Sequence, residues 1–256
     1  MHEGEKMPTT ITQEKALDFV KNIELPEIGA TPAGLATGPD YSKQAFANDA
    51  SLILFTNNVS LQHKQDILNS MCLAQRAAKF VNPGLDNPQV YYNKYTEVLQ
   101  AIGYAVGGWQ FTNYAGAGQQ FSVDKVVIDI LAAVFTGTEM TMVKTVIDAL
   151  KNLQNDGGFT LFERESHSLK DGNFRIGVCD ESAGVVGMKV GAFNFSSQSN
   201  VTKVLFFSWS SASASFNHSS QNLMLNDQLY NFVRAQVLMK LGVAAQQYVQ
   251  DLPIQI

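Results

Sequence analysis

Residues 204–226, VLFFSWSSASASFNHSSQNLMLN, contain no Lys, Arg, Asp or Glu. Such a stretch has few places to go in a folded chain. Its Ser, Asn and Gln residues make it too polar for a membrane helix, which needs about 20 predominantly apolar residues. Leu205-Phe206-Phe207-Ser208-Trp209 makes it too apolar for an exposed loop. A strand buried on both faces is one solution; a strand able to leave water for lipid is the other.

The flanking pattern shows what could cover it. Residues 61–80 place Ile67, Leu68, Met71, Cys72, Gln75 and Ala78 on one helical face, stopped by Asn82-Pro83-Gly84. A return helix carries Tyr91, Tyr95, Val98, Leu99, Ile102 and Val106 and ends at Gly107-Gly108. A second hairpin starts at the N-cap candidate Ser122, with Val123, Val126, Val127, Ile130, Leu131 and Val134 as its stripe. After Thr136-Gly137-Thr138, its partner carries Val143, Val146, Ile147, Leu150 and Leu153, closed by Asn155-Asp156-Gly157-Gly158. Strands are expected at 51–56 (SLILFT), 109–115 (WQFTNYA, with Trp109, Phe111, Asn113 and Ala115 on one face), 159–165, 174–179, 185–195 and 201–216, and a last helix at 227–248.

Hairpins with a single apolar face and strands apolar on both faces are buried together when a sheet lies between helical layers. Short connections favour antiparallel neighbours. The expected fold is therefore α/β (α+β): a single-domain three-layer α-β-α sandwich over residues 51–256, its mainly antiparallel sheet flanked by two helical hairpins. Residues 1–50 read as an irregular N-terminal segment, where Pro26, Pro32 and Pro39 alternate with Gly29, Gly34 and Gly38. The uncharged run becomes a central strand.

Hydrophobic residues make up 45% of the 256-residue chain, enough for a full core, while charged residues are 16% against about 25% in an ordinary domain. The net charge of −5 argues against nucleic acid and against strong attraction to anionic membranes, leaving zwitterionic ones open. MHEGEKMPTT lacks the basic-then-apolar order of a Sec signal, so the expectation is a soluble cytosolic product, released by another route to act at a host or target-cell membrane.

Catalytic motifs are missing: no phosphate-cradling glycine loop, HExxH, paired CxxC or GxSxG. Asp180 and Glu181 are adjacent, so they point to opposite faces of a strand. His2, His63, His167 and His218 show no metal-ligand spacing. No enzyme, no metal and no catalytic residue is expected. A Cys-dependent hydrolase would need Cys179 as nucleophile with His167 or His218 as base. A lone cysteine in an apolar strand, however, is usually a small buried hydrophobe, and Cys72 reads the same way. Trp109, Phe111, Tyr91 and Tyr95 read as core packing.

The order strand, helical hairpin, strand, helical hairpin, then long antiparallel strands resembles the Cyt-type cytolytic toxins, the Cyt delta-endotoxin and volvatoxin type. SLILFT looks like that family's opening strand, FSVDKVVIDILAAVF like its third helix, and GFTLFERES like the aromatic-acidic strand after the fourth. VGMKVGAFNF and KVLFFSWSSASASFN are similar to its pair of membrane-inserting strands, so the resemblance spans about residues 50–225. YNKYTEVLQAIGYAVGGWQF is more similar to the Erwinia virulence factor branch, linked to a fatty acyl group on a cysteine.

The resemblance implies a membrane-active virulence protein or cytolytic toxin whose soluble form becomes a lipid-inserted β-oligomer when its helical hairpins detach. Target-cell membrane lipid and further copies of the chain would be its partners. The inserting candidates are Val185, Val190, Phe193, Phe195, Leu205, Phe207 and Trp209, in stretches longer than the 9–11 residues a spanning strand needs. Lys189 would face a wet lumen; Val204 and Phe206 fall on the Ser/Ala side, against the register. The alternative is a lipid-binding virulence factor holding a fatty acid on Cys179, or non-covalently, without a pore. Ordinary core strands of a sandwich would show the same apolar pattern.

Overall fold

The computed structural model describes residues 12–27, 38–114, 120–153, 156–210 and 214–256. The Pro/Gly alternation at 28–37, Ala115, Asn155 and Ser211–Ser213 lie outside the described residues, as does the side chain of Trp209. In chain order the elements are α1 (Gln13–Asn22), β1 (Ala45–Asn48), β2 (Ser51–Phe55), α2 (Leu61–Val81), α3 (Pro88–Ala101), β3 (Tyr104–Ala105), β4 (Thr112–Asn113) and β5 (Gln120–Ser122). Then follow α4 (Val123–Leu131), α5 (Gly137–Leu150), α6 (Gly157–Ser166), β6 (Asp171–Ser182), β7 (Val185–Ser197), β8 (Ser208–Ser210) and β9 (Ala214–Leu225). The chain closes with α7 (Asp227–Leu241), α8 (Ala244–Gln247) and β10 (Val249–Asp251).

Local chemistry explains most helix starts. Ser60 accepts the His63 N–H ahead of α2, and Asn87 accepts that of Val90 before α3, whose first residue is Pro88. Thr136 and Glu139 exchange bonds in a capping box at α5. Ser122 occupies the N-cap of α4 without a side-chain cap bond. The expected last helix is broken at Gly242 (φ 51°), which ends α7 in a backbone conformation open to glycine.

The main sheet runs β10-β1-β2-β6-β7-β9-β3, with β4 also on β9; every pairing is antiparallel except β2–β6, which is parallel. The long neighbours β6, β7 and β9 form its centre, and α2 with α3 and α4 with α5 cover it as two hairpins. It is a mixed α+β fold with an open, mostly antiparallel sheet.

Four expectations need correction. GFTLFERES is helix α6, not a strand: Asp156 accepts the Phe159 N–H, and Phe159 and Phe162 recur at helical spacing. The 201–216 stretch is no continuous strand. Residues 201–207 cross the sheet without joining its ladder, three residues pair with β5 as β8, and β9 begins at Ala214. Among the described residues of WQFTNYA, Thr112–Asn113 alone is strand, and both are exposed. Finally, residue 50 is no boundary: β1 lies before it inside the sheet, and α1 packs on α7.

Close packing fixes some side chains by their absence. A methyl group on Gly172 of β6 would overlap the ring of Phe195, which lies across from it on β7. Gly172→Ala should destabilise the fold by about 1–3 kcal/mol, seen as a lower urea midpoint, because the ring is boxed in by Phe207 and Phe216.

Candidate functional site: two unlike faces of one sheet

Strand alternation sorts the centre of the sheet into two faces. One face takes Phe174, Ile176 and Val178 of β6 with their partners Phe193, Gly191 and Lys189 of β7. Phe195 and Phe216 extend it, giving ring separations of 5.1 Å (Phe174–Phe193), 6.0 Å (Phe193–Phe216) and 6.0 Å (Phe195–Phe216). This phenylalanine face is covered by α4, α5, α6 and the strap of residues 201–207. Leu131 of α4 lies over Gly191, where any Cβ would stand 2.5 Å from it.

Polar fastenings of the α4–α5 hairpin to the rest run through its ends. Glu139 Oε2 meets Lys189 Nζ at 2.9 Å. The Val123 and Asp124 N–H groups donate to the Phe207 and Leu205 carbonyls of the strap, at 2.9 and 2.8 Å. The strap is tied in turn to α6, where Glu163 Oε2 accepts the Val204 N–H at 2.7 Å.

Glu163 is badly placed for a charge. Its other oxygen is buried without a hydrogen-bond partner among the described residues, and His167 Nε2 is 3.9 Å from Oε2. Burial pushes its carboxyl up to about 7 from an ordinary 4.5, against the pull of the Val204 N–H and Lys203. A carboxyl raised on folding prefers the folded state protonated, so stability is lost as pH rises from 4.5 through about 7. Glu163→Gln should remove this slope, and urea midpoints should favour the variant over wild type more at pH 8 than at pH 5.

The opposite face is polar at its centre. Arg175 of β6 is 0% exposed. It donates to Ser51 Oγ (2.9 Å), Gln75 Oε1 (2.7 Å), the Ala50 carbonyl (3.2 Å) and the Tyr92 hydroxyl (3.2 Å). Its guanidinium lies 5.1, 5.7 and 5.5 Å from the rings of Tyr91, Tyr92 and Tyr95 of α3. Beside it Asp49, also 0% exposed, pairs with Lys79 (2.5 Å) and Arg76 (3.6 Å) of α2. Burial alone would raise the Asp49 carboxyl, but these two cations hold it below the usual carboxylate range. At the start of α2, His63 bridges Glu181 (2.9 Å) and Asp227 (3.0 Å), tying the helix to β6 and α7. Burial works against a charge on His63, yet the two carboxylates raise it above an ordinary imidazole. Sequence reading missed Arg175; a lone cation in the apolar strand FRIGVC was the signal that could have found it.

The predicted residues fall on both faces. Phe193 and Phe195 are buried on the phenylalanine face, and Val185 is on the same side but 47% exposed. Phe207 stacks on Phe195 at 5.7 Å, and Leu205 is buried in the strap. Val190 pairs with Gly177 on the Arg175 side, so it does not join them. Leu205 and Phe207 precede β8 and stand outside any strand ladder in this fold.

Cys179 is 0% exposed on the Arg175 face, and burial pushes its thiol well above the usual range. His167 bridges to Gly172, seven residues or roughly 23 Å of strand away. His218 pairs with Phe193, on the other face. Neither histidine reaches Cys179, so the hydrolase arrangement is absent. Cys72 is equally buried. Among the described residues no cluster has the ligands for a metal, and no helix is long and apolar enough to cross a membrane.

No family model and no curated protein matches the chain. Solved structures do. A delta-endotoxin shares 13% identity over 81% of this chain and 96% of its own, with a TM-score of 0.39. The activated Cyt2Ba monomer from Bacillus thuringiensis subsp. israelensis shares 9% over 70% and 97%, with a TM-score of 0.34. The Evf virulence factor shares 11% over 90% and 88%, with a TM-score of 0.33. Its structural neighbours are Cyt toxins and a virulence factor. At such identities and TM-scores no residue's role is carried across from them.

Proposed function

We propose that the chain is a membrane-active protein, a virulence factor or cytolytic toxin, whose folded form hides a lipid-seeking sheet beneath helical covers. One observation carries this reading. The phenylalanine face of β6, β7 and β9 lies under an amphipathic hairpin whose described polar fastenings sit at its ends. Lipid can replace that cover because hydrocarbon accepts the same apolar area that the hairpin now buries. Backbone groups entering lipid must stay paired, which favours assembly of several copies on the membrane.

Dye-loaded vesicles of zwitterionic phosphatidylcholine provide the test. Release on adding the protein, with protease-resistant oligomers on the vesicles, is the expected result. Intact-mass measurement and Cys179→Ala run alongside. Extra mass of a fatty acyl group on Cys179 without release would favour the acyl-bearing alternative, and intact vesicles with no added mass would sink both.

A further inference from the structure

We infer that the two covers are not equivalent: the α4–α5 hairpin opens while α2 and α3 stay bonded to the sheet, so that the phenylalanine face alone meets a lipid surface. This rests on the proposed membrane activity and specifies which surface performs it.

The two departures would expose unlike surfaces. Removing α2–α3 would strip Arg175 of Gln75, Tyr92 and the ring faces of Tyr91 and Tyr95, leaving a guanidinium in mid-strand on a surface facing lipid. It would also separate Asp49 from Lys79 and Arg76, and His63 from Glu181. Charges without partners are expelled from hydrocarbon, so this face is written to remain covered. Most of these bonds are buried, where water does not compete for them.

Removing α4–α5 instead uncovers the part of this face around Gly191, where Ile176, Val178 and Phe193 are buried at present, while Phe174 keeps Phe162 of α6 and Phe195 keeps Phe207 of the strap. The one cation on that side of the central strands, Lys189, lies toward the β6–β7 turn and is 34% exposed through its side chain, so its head can stay in water. Cover is already incomplete at that end. Val185 of β7 and Met224 of β9, on directly paired strands, are 47% and 52% exposed. They line an open cleft of ≈ 540 Å³ with Val178, Lys189 and Glu139. The cleft therefore marks the end at which the hairpin's closure is weakest. With α2–α3 retained, the sheet lies on the bilayer by one face, its ladders intact.

Crosslinking separates this inference from the reading beneath it. One double variant carries Glu139→Cys and Lys189→Cys, whose native side chains meet at 2.9 Å and join α5 to β7. A second carries Ser60→Cys and Glu181→Cys, joining the α2 cap to β6, where the Ser60 N–H meets the Glu181 carboxylate at 2.8 Å. Native Cys72 and Cys179 are buried, which confines a cleavable thiol crosslinker to the introduced pairs. On phosphatidylcholine vesicles the α5–β7 link should cut dye release at least about tenfold, restored on cleavage, whereas the α2–β6 link should leave it within about twofold. Hydrogen exchange on vesicles should show lost protection in α4–α5 and retained protection in α2–α3. Equal suppression by both links, or none by the α5–β7 link, would overturn the one-sided opening while leaving membrane activity standing. Absence of release from the unlinked proteins would remove the membrane reading itself.

Discussion

Arg175→Met should lower the unfolding free energy by about 3–5 kcal/mol, one of the two largest losses expected from any single substitution in the sheet. Methionine fills part of the volume but supplies no donor. Gln75 Oε1 of α2, Ser51 Oγ and the Ala50 carbonyl would lose the guanidinium they share, keeping only the Ser51–Gln75 bond and the Arg175 backbone N–H on the Ala50 carbonyl. A hydrogen bond to a charged group contributes about 1.5–3 kcal/mol, and the three tyrosine rings lose a cation held 5.1–5.7 Å from their centres. Arg175→Lys should recover part of this, since an ammonium keeps the charge but reaches fewer of the four acceptors. Urea unfolding of the three proteins checks the order. A loss below about 1 kcal/mol for Met would mean that the cation is not what fastens this face.

Phe193→Ala tests the other face and should cost about 3–5 kcal/mol. The ring is 0% exposed, stacked on Phe174 of one neighbouring strand and close to Phe216 of the other, so its loss leaves a cavity bridging three strands. Phe193→Leu keeps most of the volume and should cost about 1.5 kcal/mol or less. The pair distinguishes packing from polarity: if Ala and Leu fall together, the stack is not close-packed. The two faces are thus expected to show losses of similar size that differ in kind, one through a hydrogen-bonded cation and one through ring contact.

The two helical hairpins and the long antiparallel strands around 174–195 were legible because helix and hairpin signals act over a few residues. GFTLFERES misled because Phe159, Leu161 and Glu163 also fit a two-residue period, and ten residues are too few to separate the patterns. The uncharged run misled differently. Lack of charge is shared by strap and strand, so it fails to show that Val204 and Leu205 are buried in a strap bonded to α4 and α6 and that β9 starts only at Ala214.

Periodicity in the sequence determined that helices with one apolar stripe must close over strands apolar on both sides, and so determined the layered α+β plan. Which side of the sheet holds a cation and which holds phenylalanine was decided by tertiary structure. Arg175 is satisfied by Ser51, 124 residues away, because β2 runs parallel beside β6. Strand alternation tells which residues share a face, but the neighbour on that face depends on distant chain segments meeting, and nothing local encodes their register.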